Sequence, residues 1–332
     1  MSAGLQASGA SSASVQHPST VTDFDHGISA IDTGFFRPQF DASHLIVENG
    51  RGAFVDTGTN YSVPLLLDAL ARKNIPVDAI DWVILTHVHL DHAGGAGLLM
   101  QHLPNARAVL HPRGARHMID PGALIAGATA VYGADEIRRS YGDLVPIPAE
   151  RIDIANDGHV IGLAGRKLVC LDTPGHARHH FCVWDERSRA FFTGDTFGLS
   201  YREFDTDKGA FILPTSTPVQ FDPDALKVSI RRMLDHAPRQ MFLTHYSRVT
   251  DIPRLAGDLF EQIDAMVAVA RAHASAADRH ARIAADLAEL YDSRARAHGC
   301  AMDSTRIREL LAMDIELNTQ GLEVWLDKPK PA

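Results

Sequence analysis

A layered α/β fold is what this chain predicts, on three observations. Short apolar runs with β-branched or aromatic content recur between residues 44 and 244, separated by helical apolar periods or by Gly, Pro and Asn turn signals. Four of those runs lead directly into a His or an Asp. Beyond about residue 252 the pattern changes to long, Ala-rich amphipathic segments. Periodicity by itself supports a mixed α/β class and nothing finer. Hydrophobic residues fill 45% and charged residues 22% of the 332 positions, enough apolar content for one large domain with an appendage, and wholesale disorder is excluded.

The elements follow in order. Residues 1–20, rich in Ser, Ala and Gly, bury little and are expected to form a flexible leader. His44-Leu45-Ile46-Val47 and Gly52-Ala53-Phe54-Val55 read as strands joined at Asn49-Gly50, a pair suited to the positive φ angles of a tight hairpin. Pro64 to Lys73 reads as a helix with Pro near its start. Trp82-Val83-Ile84-Leu85 is a buried strand, and Gly94-Gly95 turns the chain into a helix over Ala96 to Met100. Residues 113–150 exceed what a minimal connection needs and look like a helical insert beside the site. Met118, Tyr132 and Tyr141 in it are candidate pocket walls, with plain helix packing as the competing reading. Leu168-Val169-Cys170-Leu171, Ala190-Phe191-Phe192-Thr193 and Met241-Phe242-Leu243-Thr244 are three further strands. Leu255 to Ala274, Ala277 to Ala297 and Ser304 to Asp314 are expected helices, and Gly321 to Leu326 a strand-like tail. The division expected is a leader at 1–20, a catalytic domain at 21–252 and a mainly helical extension at 253–332.

The densest chemistry lies in Thr86-His87-Val88-His89-Leu90-Asp91-His92-Ala93-Gly94-Gly95, directly after the third strand. Chance would place three His and one carboxylate at such offsets about 0.006 times in a chain of this composition. Each residue alone would more often be a satisfied polar group or a cap. Together they are the donor types that hold zinc, iron or manganese, and crowding them without a metal leaves several polar groups needing partners. One loop cannot complete two coordination spheres, so further ligands are expected at other strand ends. His176 after the turn Pro174-Gly175, Asp195 after Gly194, and His245 after Thr244 stand in that position.

The Thr86–Gly95 run, Thr173-Pro174-Gly175-His176-Ala177-Arg178-His179-His180, Phe192-Thr193-Gly194-Asp195-Thr196 and Leu243-Thr244-His245-Tyr246 together resemble the metallo-β-lactamase fold superfamily, and within it the glyoxalase II-like hydrolases. The resemblance implies an αββα sandwich, here with a helical insert and a helical C-terminal region. It implies one cation on His87, His89 and His176, a second on Asp91, His92 and His245, and Asp195 bridging both. A shared water between two such cations becomes a strong nucleophile near neutral pH. Asp56, in Phe54-Val55-Asp56-Thr57-Gly58, and His180 resemble the groups that orient ligands in this family. His179 reads as a surface or strand residue.

The function this implies is a dinuclear metal hydrolase attacking a small ester-like bond, thioester ahead of lactone. Asp91 would steer the nucleophile or take its proton, and Tyr246, adjoining His245, would hydrogen-bond a carbonyl or oxyanion. Tyr201 and Arg202 are candidate substrate contacts because they follow Asp195 closely, though Arg202 equally suits a structural ion pair. The glutathione-contacting basic residues of the family find no match here. Two alternatives stay open: an iron-dependent oxidoreductase of the persulfide dioxygenase type using His87, His89, His176 and Asp195, and a non-catalytic metal-binding regulatory module. Zinc is the expected metal, with iron or manganese accommodated by the same donors.

A formal charge of −9 offers no basic footprint for nucleic acid, so a small-molecule substrate is expected. Cys170, Cys182 and Cys300 lack paired spacing and read as thiols. No stretch approaches a membrane span and no secretory signal is seen, which makes the cytoplasm the expected compartment and membrane association unexpected. A homodimer through the helical tail is the expected assembly.

Overall fold

Strands that are apolar on both faces dictate the architecture. The computed structural model describes residues 20–216 and 219–328; residues 1–19 of the expected leader lie outside them. Among the described residues a seven-stranded sheet runs in sequence order: β1 (Val21–Phe24), β2 (Ile28–Asp32), β3 (Ala42–Glu48), β4 (Arg51–Val55), β5 (Ile80–Ile84), β6 (Arg107–Leu110) and β7 (Ile152–Ile154). It is antiparallel from β1 to β4 and parallel from β4 to β7. A second, six-stranded sheet contains β8 (Val160–Leu163), β9 (Arg166–Asp172), β10 (Phe181–Asp185), β11 (Ala190–Gly194), β12 (Gln240–Leu243) and β13 (Ser247–Val249), with only the β11–β12 pair parallel.

Period-two alternation assigns each side chain to a layer. Ile46, Ala53, Val55 and Ile84 of the first sheet meet Cys170, Val183, Phe192 and Phe242 of the second, and this is the layer between the sheets. Their neighbours Leu45, Phe54 and Val83 point outward against α1 (Val63–Arg72), α2 (Leu90–Ala93), α3 (Ala96–His102) and α4 (Pro112–Ile119). The insert continues through α5 (Gly122–Tyr132) and α6 (Ala134–Tyr141). On the far side Cys182, Trp184, Phe191, Met241 and Leu243 face α7 (Pro223–Leu234), α8 (Ile252–Ala272), α9 (Arg279–His298), α10 (Ser304–Leu310) and α11 (Ala312–Asp327). Both sheets are thus covered on both faces, the αββα arrangement that the sequence resemblance implies. No helix of the described residues is long and apolar enough to cross a membrane.

Local expectations hold where the signal is local. Asn49 (φ 46°) and Gly50 (φ 77°) turn β3 into β4, and Pro64 sits in the first turn of α1, where its missing N–H has no helical partner to lose. Cys170 and Cys182 are buried, and burial pushes the Cys182 thiol up to about 12.

The C-terminal tail is a correction. Gly321 to Leu326 is the end of α11, not a strand. The apolar set Leu311, Ile315, Leu322 and Trp325 follows helical spacing, and that longer periodicity overrides the short Val324-Trp325-Leu326 run. The expected helix at 304–314 correspondingly divides into α10 and the start of α11.

Docking of α11 depends on two neighbouring residues. Asn318 accepts the Ser216 N–H at 2.7 Å and donates to Tyr291 Oη at 2.8 Å. A Cβ on Gly321 would stand 1.7 Å from the Ser216 carbonyl oxygen. Gly321→Ala therefore destabilises the fold by about 1–3 kcal/mol although Ala favours an isolated helix by about 1 kcal/mol. Urea denaturation checks this; a more stable variant would contradict the docking geometry.

Candidate metal centre

Both sheets deliver strand ends to one edge of the sandwich, and the donors converge there. His87, His89, Asp91 and His92 come from the loop and short helix after β5, His176 from the β9–β10 loop, Asp195 from the end of β11 and His245 from the end of β12. Two glycines permit this convergence. Gly175 (φ 135°) passes so close to α7 that a Cβ would lie 2.3 Å from Leu226 backbone atoms. Gly194 (φ 46°) packs against His180 and Thr86, where a Cβ would lie 2.5 Å from His180 Nε2.

Two groups of donor atoms result, each within 4.8 Å of one another: His87, His89, His176 and Asp195, and beside them Asp91, His92 and His245. In the first, His87 Nε2 and His176 Nε2 lie 2.8 and 3.1 Å from His89 Nδ1, and Asp195 Oδ2 lies 3.4 Å from His176 Nε2. In the second, His245 Nε2 and His92 Nε2 lie 3.3 and 3.7 Å from Asp91 Oδ2. The other oxygen of Asp195, Oδ1, faces this second group, 3.2 Å from His92 Nε2 and 3.8 Å from His245 Nε2. One carboxylate thus turns one oxygen to each group.

These separations suit a cation. Donors bound at about 2.1 Å in tetrahedral array stand about 3.4 Å apart. His92 Nε2 and Asp195 Oδ1 are moreover buried without a hydrogen-bond partner, although they face one another. Buried polar atoms are ordinarily satisfied, so this pair fits a metal ion.

The atoms behind the donors fix their orientation. Asp56 is fully buried, and its Oδ2 lies 2.8 Å from His92 Nδ1, leaving Nε2 for the centre. The same carboxylate accepts from Thr86 N at 2.8 Å and from the hydroxyls of Thr86 and Thr244, each at 2.8 Å. His245 Nδ1 donates to the Phe40 carbonyl at 3.0 Å. His180 accepts from Asp195 N at 3.3 Å through Nε2, and its Nδ1 lies 3.0 Å from the Thr173 hydroxyl, so it holds the Asp195 turn without joining the donors.

Charge is balanced within this cluster. Burial pushes His87 and His89 well below the ordinary imidazole range, so both are neutral as ligands require. Burial also opposes charge on His92 and His245, but Asp195 and Asp91 outweigh it. They hold His92 well above its ordinary value and His245 up to about 9. In the metal-free chain, protons on these two rings offset the carboxylates.

A cavity of about 390 Å³ opens over the donors. His89, Asp91, Asp195 and His245 form its floor, Phe35, Phe40, Leu124 and Met313 much of its apolar wall. The insert and α11 both contribute to it. Tyr141 and Tyr201 are part of its lining, and the Tyr201 hydroxyl donates to Asp314 at 3.0 Å. Three expectations need correction. Met118 packs in the core of the first helix layer, only 2% exposed. Arg202 is absent from the lining; its guanidinium donates to the Ser200 carbonyl at 3.1 Å and lies 3.3 Å from Asp205. Tyr246 turns away from the cavity, packs against Ala30 and Ala42, and has a buried hydroxyl without a partner. The side chain of Tyr132 lies outside the described residues.

Sequence reasoning missed His179 and Asp314. His179 is a buried wall residue with its ring centroid 5.6 Å from that of His89. Asp314 lines the cavity from α11, and burial raises its carboxyl to about 6. Neither carries a local signal. The repeated Thr-His pair, Thr86-His87 and Thr244-His245, is the signal that could have linked both strand ends to Asp56.

Comparison with known proteins follows the same outline. The family model described as metallo-beta-lactamase superfamily matches residues 37–246. The metallo-beta-lactamase fold-containing protein ST1585 of Sulfurisphaera tokodaii is 24% identical over 205 residues, 60% of this chain and 74% of that protein. Its crystal structure superposes with a TM-score of 0.62 at 21% identity, covering 90% of this chain and 98% of that one. A hydroxyacylglutathione hydrolase of Xanthomonas campestris is 28% identical over 162 residues, 48% of each chain. The acyl-coenzyme A thioesterase MBLAC2 of Bos taurus is 30% identical over 166 residues, 46% of this chain and 53% of that protein. The chain thus spans about half the length of these last two relatives.

Two outcomes test the centre. Asp56→Asn weakens metal binding about 10- to 100-fold in competition with a chromogenic chelator, because the His92 tautomer is no longer held; unchanged affinity would contradict the role given to Asp56. Because His245 keeps its proton up to about pH 9 in the metal-free chain, a cation must displace it below that pH. Apparent affinity then falls at least about tenfold per unit as pH drops from 9 to 7. Affinity independent of pH would contradict this.

Proposed function

The chain belongs to the metallo-beta-lactamase superfamily, and on that premise we propose that it is a dinuclear metal-dependent hydrolase of a small thioester, with lactones as the second substrate class. The observation that carries the reading is Asp195, whose two oxygens face two complete donor groups. A single-iron oxygenase needs only His87, His89, His176 and Asp195; the presence of Asp91, His92 and His245 supports the two-metal chemistry.

The first three histidines and Asp195 Oδ2 would hold one cation, and Asp91, His92, His245 and Asp195 Oδ1 the other. Bound there, two divalent ions of the zinc type supply a low-pKa water and polarisation of the substrate carbonyl. Iron and manganese suit the same donors.

The remaining work falls to the chain. Asp91 is, with His89, one of the two donors that are not fully buried, its side chain 24% accessible, and it stands on the cavity floor. Burial would raise its carboxyl, but His92 and His245 hold it well below the usual range, so it is an anion ready to orient a water proton. Phe35, Phe40, Leu124 and Met313 exclude bulk water from the carbonyl and accommodate an apolar acyl group. Tyr246, facing Ala30 and Ala42, takes no part in this scheme. A thiolate departs without a proton from a general acid, so the scheme asks none of Asp314, whose Oδ1 accepts from the Tyr201 hydroxyl. The names of the relatives, an acyl-coenzyme A thioesterase and a hydroxyacylglutathione hydrolase, support a thioester over other esters.

A panel of acyl thioesters, lactones and phosphodiesters, assayed with oxygen uptake in parallel, tests the reading. Oxygen-independent thioester hydrolysis is expected, and uptake of oxygen on a persulfide without hydrolysis would overturn it. His92→Ala is expected to lower kcat at least about a hundredfold and to release one of two bound metals; full activity in that variant would count against the two-metal scheme.

A further inference from the structure

We propose that the cleft bordered by Arg113, Arg116, Arg178, Arg271 and Lys328 binds the phosphates of coenzyme A, while the thioester end of the same molecule lies over the metal centre. The inference rests on the thioester reading above and names the carrier.

The cleft, about 1590 Å³, adjoins the metal cavity: His117, His179 and Gln220 line both. Its cations come from four separate places, α4 (Arg113, Arg116), the β9–β10 loop (Arg178), α8 (Arg271) and the residue after α11 (Lys328). None of the five has an ion-pair partner among the described residues. Elsewhere in this acidic chain arginines commonly pair, as Arg107 with Asp153 and Arg294 with Glu261 do.

Neutral groups hold three of these cations in place instead. Arg113 Nη1 donates to the Arg178 carbonyl at 3.1 Å, and Lys328 Nζ to the Phe221 carbonyl at 2.9 Å. The Arg271 guanidinium stands over the Trp325 ring, 5.5 Å from its centroid. The two carboxylates at the rim are engaged, Asp222 capping α7 through Ala225 N at 3.0 Å and Asp224 lying 3.6 Å from Lys227. Five cations against two carboxylates leave an excess of three positive charges. Burial, and after it the Arg178 charge, lower the Lys328 ammonium, and Asp222 opposes them.

Such an excess attracts a polyanion into the cleft. Guanidinium groups match phosphate oxygens in bidentate pairs, and several phosphates balance three charges where the single carboxylate at one end of a peptide thiol would not. The boundary between the two cavities carries its own polar group. His179 is only 8% exposed, and its Nδ1 has no hydrogen-bond partner. An amide of the linker between phosphate and sulfur would satisfy it.

The test is calorimetric binding of desulfo-coenzyme A, which lacks the metal-binding thiol, to the full metal-loaded chain. Saturable binding is expected, weakened at least about tenfold by Arg178→Glu with Arg271→Glu and by 0.5 M salt, while Arg239→Glu, the same charge change on an exposed site elsewhere, leaves it within about twofold. Absence of binding, equal weakening by Arg239→Glu, or binding only of a phosphopantetheinylated carrier protein would overturn the assignment. A second arm compares an acyl-coenzyme A with the matching uncharged N-acetylcysteamine thioester. The ratio of their kcat/KM values is expected to exceed about 10 and to collapse in the double variant. Binding at these arginines without hydrolysis of either thioester would leave the cleft standing and sink the thioester reading; equal hydrolysis of both without binding would do the reverse.

Discussion

The carboxylate of Asp56 is the interaction on which the rest of the structure depends. It leaves the end of β4 with a φ of 56°, is fully buried, and accepts hydrogen bonds from the Thr86 amide and hydroxyl, from the Thr244 hydroxyl and from His92. Thr86 follows β5 in one sheet and Thr244 follows β12 in the other, so a single anion ties the two sheets together at the edge that carries the donors. A buried charge this well satisfied is tolerable only where every partner is in place. The loop of His87 to His92 starts from one of those partners and the loop of His245 from another. Two of the donor loops and the orientation of the His92 ring therefore depend on one residue outside the centre.

Around that anchor the sandwich works as a positioning frame. Phe192 and Phe242 stack between the sheets at 5.1 Å and fix how β11 and β12 approach β4 and β5. Parallel pairing of β11 with β12, and of β4 with β5, brings four strand ends to the same edge, where Gly194 lets Asp195 turn in between the two histidine groups. The helices beyond β13 close the cavity from the opposite side through Met313, Asp314 and Leu317 of α11. The donors thus sit at strand ends, while the insert and α11 supply the walls of the cavity above them.

What the sequence disclosed was whatever is local. The His87–His92 run, the strands that lead into His176, Asp195 and His245, the Asn49-Gly50 hairpin and the helical insert are each encoded within a few residues, and the family resemblance supplied their arrangement. What it hid depends on direction. Tyr246 adjoins His245 and Arg202 follows a few residues after Asp195, yet both point elsewhere, because adjacent residues at a strand end face opposite sides and Arg202 is captured by the carbonyl of Ser200. His179 gave no sign that the β9–β10 loop would turn it into the wall, and Asp314 reaches the cavity across more than a hundred residues of chain. The Gly321–Leu326 segment shows a short apolar run losing to a longer helical period.

The central claim is that one carboxylate joins two cation sites. Diffraction from metal-loaded crystals at the absorption edge of the bound ion addresses it directly. Two anomalous peaks about 3.5–4 Å apart are expected, one beside His87, His89 and His176, the other beside Asp91, His92 and His245, with Asp195 touching both. A single peak under saturating metal, or two peaks without Asp195 between them, would contradict the account.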